Sequence, residues 1–227
     1  MKKVALCINC KNELYQLKQT LASNLKKLDD ASYIVLLDYQ SNNNELADYI
    51  LTNFQKEAIS NKLKFYSLVT DQKLSYSSAY AKNVAHLLAD DADVLFNLDP
   101  DNFITDDTLN DLRNLSENYL LVPRIGSDIN NTFGRIGYGK KTFMALNGYD
   151  EDVTRPEAIV ENFIRKALKL DYCIQSSTTC GVSIPPTQQN SDSVNTTPPA
   201  IDYPNTYGNA VCKNIFGQVK VVGIKNL

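Results

Sequence analysis

Histidine is nearly missing from this chain: His86 is the only imidazole among 227 residues. A Ser-His-Asp hydrolase or a histidine-ligated zinc centre therefore has little to build on. Basic residues are not in excess either, since 26 acidic side chains face 23 basic ones for a net charge of -3. A broad electrostatic footprint for nucleic acid would need the opposite sign, so no nucleic-acid partner is expected. No apolar run reaches the roughly 18 residues of a membrane span, and the start Met1 to Asn9 is too short in its apolar part for a secretory signal. A soluble, cytoplasmic protein is expected, with peripheral membrane contact left open. A disulfide framework is missing too. Cys7, Cys10, Cys173, Cys180 and Cys212 are odd in number and scattered, which points to reduced thiols. Cys7 and Cys10 have CxxC spacing, but no second pair follows and Cys7 lies inside a strand-like run, where it reads as core.

What is present is ordinary globular composition, 43% hydrophobic and 22% charged, enough for one domain with a sizeable core and a tail. Short apolar runs alternate with stretches of helical period, the order that a doubly wound, mostly parallel sheet requires. Strands are expected at 4–8, 33–37, 63–69 and 94–98, with helices between them. The helix after the first strand is marked by Leu14, Leu17, Leu21 and Leu25, whose spacing paints one face. Further helices are expected at 105–115, 142–146 and 156–170, a short strand at 120–123 and an extended glycine-bearing stretch at 133–141. Residues 185–209 shift to Pro, Thr, Ser, Asn and Gln and read as a loop or lid. A strand signal at 219–224 brings the chain back to the body.

Open parallel sheets place ligands beyond the carboxyl ends of their strands. The loops at those ends carry a specific set of residues: Ile8-Asn9-Cys10-Lys11-Asn12, Leu37-Asp38 with Ser41, Ala81-Lys82-Asn83-Val84-Ala85, Leu98-Asp99-Pro100-Asp101-Asn102 and Asn147-Gly148-Tyr149-Asp150-Glu151. In this order and spacing over about 170 residues the chain resembles the family 2 glycosyltransferases of the GT-A fold. The resemblance implies a single α/β domain with a Rossmann-like, open, twisted, mostly parallel sheet. It also implies a nucleotide-sugar-binding half over 1–103 and an acceptor half over 104–184, to which the composition adds a flexible segment over 185–209 and a returning C-terminal strand within 210–227.

The chemistry agrees with the resemblance. The diphosphate of a nucleotide sugar gains negative charge as the glycosidic bond breaks, and a hard divalent cation held by carboxylates stabilises it. Asp99 and Asp101 are two positions apart, which in an extended segment points both carboxylates the same way. A plain surface turn is the alternative, since Asp, Pro and Asn favour turns. With the family resemblance, Asp99 and Asp101 are the expected ligands of Mn2+ or Mg2+. Asp38 is expected to accept hydrogen bonds from the nucleoside, or to cap the helix that follows. Lys82 stands where the family has arginine, keeping the charge without the bidentate geometry. Asn9, Cys10 and Asn12 fall at loop positions that contact the base in the family, although Asn9 replaces a usual proline and Cys10 a small hydroxyl residue.

Gly148, Tyr149, Asp150 and Glu151 are expected under the acceptor and the transferred sugar, with a glycine C-cap as the plain alternative. The family then has Glu-Asp at the start of the next helix, one of them the general base. Ile159-Val160 stand there instead. Glu161, Glu157 and Asp150, in that order, are the candidates for the missing base. The implied activity is inverting transfer of a hexose or N-acetylhexosamine from a UDP-sugar donor to a hydroxyl of a glycan or other acceptor. The alternatives are a degenerate GT-A domain that binds nucleotide or glycan without turnover, and a nucleotidyltransferase. The latter would need a glycine-rich basic loop after the first strand, and Asn9 to Glu13 holds no glycine.

Overall fold

A computed structural model describes residues 1–42, 44–70, 76–124, 134–178, 182–183 and 210–222. Its centre is β1 (Val4–Cys10), which lies parallel between β2 (Ser32–Asp38) and β4 (Val94–Asn97), with Ile8 beside Leu36 and Leu6 beside Phe96. Every residue of β1 and β2 is buried, because helices cover both faces of the sheet. That is why these strands read as continuous apolar runs without alternation. Val4, Leu6, Ile8 and Cys10 enter one core layer, and Ala5 and Cys7 the other. Three residues apart on a strand, Cys7 and Cys10 point to opposite faces, so the CxxC spacing makes no dithiol site.

The first layer is closed by α1 (Leu14–Lys26), α2 (Glu45–Asn53), α3 (Gln55–Ile59) and α5 (Thr108–Asn114), through residues such as Leu17, Leu21, Ile50 and Leu112. The second is closed by α4 (Ser78–Leu88), α6 (Lys140–Ala145) and α7 (Pro156–Lys169), through Val84, Phe143 and Phe163 among others. The helix marked in the sequence by Leu46, Tyr49 and Ile50 is α2, and Phe54, whose backbone at φ -131° leaves the helical region, separates it from α3.

The remaining strands are β3 (Leu63–Val69), β5 (Asn102–Phe103), β6 (Tyr119–Pro123), β7 (Gly137–Gly139), β8 (Cys173–Ser177), β9 (Val182–Ser183), β10 (Ala210–Asn214) and β11 (Val219–Val222). The nine-stranded sheet runs β11-β10-β3-β2-β1-β4-β7-β6-β8, and β5 pairs with β9 apart from it. The sheet is parallel through β3, β2, β1 and β4, while β7 and β10 enter antiparallel. Gly137 is required in β7, since a Cβ there would lie 2.3 Å from a Leu112 methyl and 3.3 Å from the Phe96 ring. Near the C-terminal end a hairpin of β10 and β11 adds to the β3 edge. The expected loop over 185–209 lies outside the described residues. Among the described residues no helix is long and apolar enough to cross a membrane.

Candidate active site

The carboxyl ends of β1, β2 and β4 open on one edge, and the Asp99 turn stands at its centre. It is a turn and not the extended segment expected from the two-residue spacing: the Asn102 amide donates to the Asp99 carbonyl at 3.0 Å, folding Pro100 and Asp101 between them. Proline at the second position of such a turn supplies its fixed φ. The turn is held from beneath by α1. Thr20 Oγ1 donates to the Pro100 carbonyl at 2.6 Å, Asn24 Nδ2 to the Asn102 carbonyl at 2.9 Å, and Asn24 Oδ1 accepts from the Ile104 amide at 3.0 Å.

From the other face comes α4. Lys82 is nearly buried, and its Nζ lies 3.2 Å from Asn97 Oδ1 and 3.3 Å from Asp99 Oδ1. Asn97 also reaches Asp99 Oδ1, at 3.5 Å, and donates to the Gly134 carbonyl at 2.7 Å. The other oxygen, Oδ2, faces Gly134, where a Cβ would stand only 2.7 Å away. Glu13, which sequence reasoning placed in the first loop without a role, belongs to this cluster. Burial, then the Asp99 and Asp101 carboxylates, push its carboxyl up to about 7, against the opposing pull of the Lys11 amide and Lys82.

Asp38 lies at the end of β2, largely buried. Its Oδ1 accepts from the Ser41 amide at 3.0 Å and the Ser41 hydroxyl at 2.6 Å. Burial raises its carboxyl, and the two Ser41 bonds pull it back. Asp38 therefore organises its own loop and does not cap the next helix, whose N-cap is Asn44. Asn12 stitches that loop to the first: its amide donates to Ser41 Oγ at 3.1 Å, and its Oδ1 accepts from the Asn42 amide at 2.9 Å. Asn9 Nδ2 donates to the Tyr76 hydroxyl at 2.7 Å. Cys10 is corrected. Its thiol lies fully buried in the core layer under α1, because the seventh residue of β1 follows the inward alternation, and it presents no side chain to a ligand. Lys11 Nζ instead stands 5.2 Å and 5.6 Å from the Tyr39 and Tyr76 rings, a basic and aromatic pairing that single-residue patterns did not announce.

The Gly148 to Glu151 turn, where the acceptor is expected, is built on Asn83, the neighbour of Lys82. Asn83 is fully buried; its Nδ2 donates to the Tyr149 carbonyl and to Glu151 Oε1, both at 2.9 Å, and its Oδ1 accepts from the Tyr149 amide at 2.8 Å. Gly148 has φ +63°, and a Cβ on it would lie 2.5 Å from Asn83 Oδ1, so glycine serves both the C-terminus of α6 and this close approach. Tyr149 is a buried core side chain whose hydroxyl meets that of Tyr138 at 2.9 Å.

The candidate bases separate. Asp150 is occupied: Lys166 Nζ lies 2.5 Å from its Oδ1, and Asn162 Nδ2 donates to its Oδ2. Glu161 sits on the side of α7 opposite the buried stripe of Ile159, Val160, Phe163 and Ala167. There it pairs with Arg165 at 2.5 Å, with side chains 53% and 69% exposed, away from the acceptor turn. The side chain of Glu157 lies outside the described residues. Ile159 and Val160 are core residues, which accounts for apolar side chains where the family carries acids.

His86 also belongs to the core. Its Nδ1 is 2.6 Å from the Lys82 carbonyl, so that nitrogen carries the proton, and its ring stacks on Tyr138 and Phe143.

No family model matches the chain, and no curated protein matches it in sequence. Solved structures do. A mannosyltransferase from Pyrobaculum calidifontis, in complex with GDP-mannose and Mn2+, superposes with a TM-score of 0.65 at 15% identity over 82% of this chain and 58% of its own. The catalytic domain of a Drosophila β1,4-galactosyltransferase 7, in complex with xylobiose, gives 0.59 at 14% identity over 89% and 77%. S. aureus TarS 1–349 with UDP-GlcNAc gives 0.58 at 17% over 77% and 56%. The fold is GT-A. The chain spans 58% of the mannosyltransferase chain and of the TarS 1–349 chain.

GT-A neighbours include complexes with Mn2+, and the Asp99 turn has the donors for such an ion. Two carboxylates are hard oxygen donors of the kind that suit Mn2+ or Mg2+. The space over Asp99 Oδ2 is kept clear of any Cβ at Gly134. Among the described residues no third His, Cys, Asp or Glu completes a ligand cluster. An ion bound at one or two carboxylates ordinarily completes its shell with substrate phosphates and water.

Proposed function

We propose that the chain is a metal-dependent glycosyltransferase that moves a sugar, with inversion, from a nucleoside diphosphate sugar to a hydroxyl acceptor. The observation that carries this reading is the pairing of Lys82 and Asn83. These consecutive residues of α4 hold the two halves of the site, Lys82 the Asp99 carboxylate and Asn83 the acceptor turn. Asp99 and Asp101 hold the divalent ion, which supplies Lewis-acid stabilisation to the departing diphosphate. Asp38, Asn9 and Asn12 form the nucleoside end, and Gly148 to Glu151 the acceptor end. The donor class is drawn from the neighbours, whose complexes contain GDP-mannose, UDP and UDP-GlcNAc. A hexose or N-acetylhexosamine from UDP is the expected donor, a glycan the acceptor, and the cytoplasm the place of action.

Calorimetry with UDP and GDP, each with Mn2+ and with EDTA, tests the donor half. Tight binding only with Mn2+ is expected, and equal affinity with EDTA would sink the metal-bridged diphosphate. Hydrolysis of a panel of UDP- and GDP-sugars then tests turnover. The buried Ile159-Val160 pair favours a second reading, a domain that binds donors without turning them over. Metal-dependent binding with no hydrolysis of any donor would select it.

A further inference from the structure

We infer that Glu151 is the general base of the transfer, a role that rests on the glycosyltransferase reading. Three observations carry it. First, Glu151 Oε1 is fixed by Asn83 Nδ2 at 2.9 Å, and Asn83 is locked in turn by the Tyr149 amide and carbonyl. The carboxylate is thus tied to the helix that positions Asp99 through the adjacent Lys82. Second, among the described residues Glu151 has no lysine or arginine partner. Asp150 is bound to Lys166, Glu161 to Arg165 and Asp99 to Lys82. An ion-paired carboxylate must leave its cation to meet a hydroxyl, a competition that no lysine or arginine among the described residues offers Glu151. Third, Glu151 is only partly buried, so one oxygen can meet an acceptor while the other is held by Asn83.

The environment supports the assignment. Burial raises the Glu151 carboxyl above its ordinary range, the Asn83 bond lowers it, and Asp152 raises it. The charged groups on the neighbouring elements are Lys82 of α4, engaged with Asp99, and Lys166 of α7, engaged with Asp150. Neither is spent on Glu151. A carboxyl poised upward is better matched to proton abstraction near neutral pH.

The step balances as a displacement. Glu151 takes the proton of the acceptor hydroxyl, and that oxygen's electron pair forms the new bond to the anomeric carbon. The bond from that carbon to the diphosphate oxygen breaks, its electron pair leaves with the nucleoside diphosphate, and Glu151 later releases its proton to solvent.

Glu151→Gln is the decisive variant, because its amide oxygen still accepts from Asn83 while the base is gone. With the UDP- or GDP-sugar that the wild type binds, and Mn2+, hydrolysis and transfer should fall about 100-fold or more. UDP or GDP affinity should stay within about twofold and the melting temperature should not move. The wild-type rate should rise with pH along an acid limb that Glu151→Gln lacks. Near-normal turnover in Glu151→Gln overturns the assignment, as does a comparable loss confined to Glu157→Gln or Glu161→Gln. A wild type that binds a donor with Mn2+ and hydrolyses none also overturns it, leaving the donor site intact. A wild type that binds neither nucleotide overturns the glycosyltransferase reading itself.

Discussion

At Gly134 a side chain has no room. A methyl there would stand 2.7 Å from Asp99 Oδ2, so Gly134→Ala must push the carboxylate aside or shift the segment that leads into β7. Asp99 is partly exposed, and moving it costs little folding energy. Gly134→Ala is therefore expected to weaken Mn2+-dependent UDP or GDP binding by about tenfold or more, with stability within about 1 kcal/mol, as for other substitutions outside the core. Calorimetry and a urea titration check the two halves, and unchanged affinity would show that Oδ2 is not a ligand.

His86 makes a different prediction. Burial among aromatic rings pulls its imidazole down to about 3, against about 6.5 in an unfolded chain. Between those values the unfolded state binds the extra proton, so stability rises with pH there. The contribution is complete above about 6.5 and is lost as pH falls toward 3, with a slope of up to about 1.4 kcal/mol per pH unit. Urea titrations at pH 7 and pH 5 should show a larger acid loss in the wild type than in His86→Gln. Equal losses would mean that the folded protein protonates His86 freely. The sequence already set His86 in a helix and gave it no catalytic part, because one imidazole without partners makes no triad. Its orphaned Nε2 was not legible, since that depends on which rings of β7, α6 and the acceptor turn close over it.

Helices in this protein do more than cover the sheet. The leucine spacing of α1 predicted its buried stripe, and Leu17, Leu21 and Leu25 are indeed core. Thr20 and Asn24 lie on the flank of that stripe, outside the leucine pattern. The structure buries both, at 1% and 0% exposure, because the Asp99 turn comes down on α1 from a point about 80 residues later in the chain. Periodicity reports which face is apolar; it cannot report which polar residue will meet a distant backbone. Asn24→Ala would strand the Ile104 amide and take a hydrogen bond from the Asn102 carbonyl. An unsatisfied buried group costs about 1 to 3 kcal/mol and a lost hydrogen bond about 1 kcal/mol, so a loss of about 2 to 4 kcal/mol is expected, together with weaker metal-dependent nucleotide binding. Thr20→Val, which strands one carbonyl, should cost less. Full stability in Asn24→Ala would mean that water replaces both bonds.

The same limit of sequence reading applies to two consecutive residues of α4. Lys82, Asn83 and their order were legible as a motif. Their division of labour was not, since it needs β4 and the acceptor turn on the same side of the helix. The extended reading of Asp99 to Asp101 failed for a nearby reason. Proline ended β4 as expected, and the chain then turned to reach β5 instead of running on.

Over the whole molecule, the parallel core was legible because buried strands are short, apolar and separated by amphipathic helices. The edges were not. β8 is mixed in composition with several exposed residues, and β10 carries Lys213 and Asn214, so neither reads as a strand until its neighbour is known. The Asp99 turn follows β4, which lies in the middle of the sheet and not at these edges.

That central placement sets the last prediction. A nucleotide that bridges the ends of β1 and β2 and the Asp99 turn binds only the folded chain, and it stabilises by RT ln(1 + [L]/Kd). At a UDP or GDP concentration of about 100 Kd with saturating Mn2+, that is about 2.7 kcal/mol. For a domain of this size, 1 kcal/mol moves the melting temperature by about 2–4 °C, so a rise of about 5–10 °C is expected. EDTA should abolish most of the rise. Asp101→Asn should do the same while leaving the unliganded melting temperature near wild type, because Asp101 is only partly buried and its Oδ1 accepts from the neighbouring Asn102 side chain, a bond an amide oxygen can still receive. A fall in the unliganded melting temperature of Asp101→Asn, with the nucleotide shift preserved, would make the turn a structural brace and move the metal elsewhere.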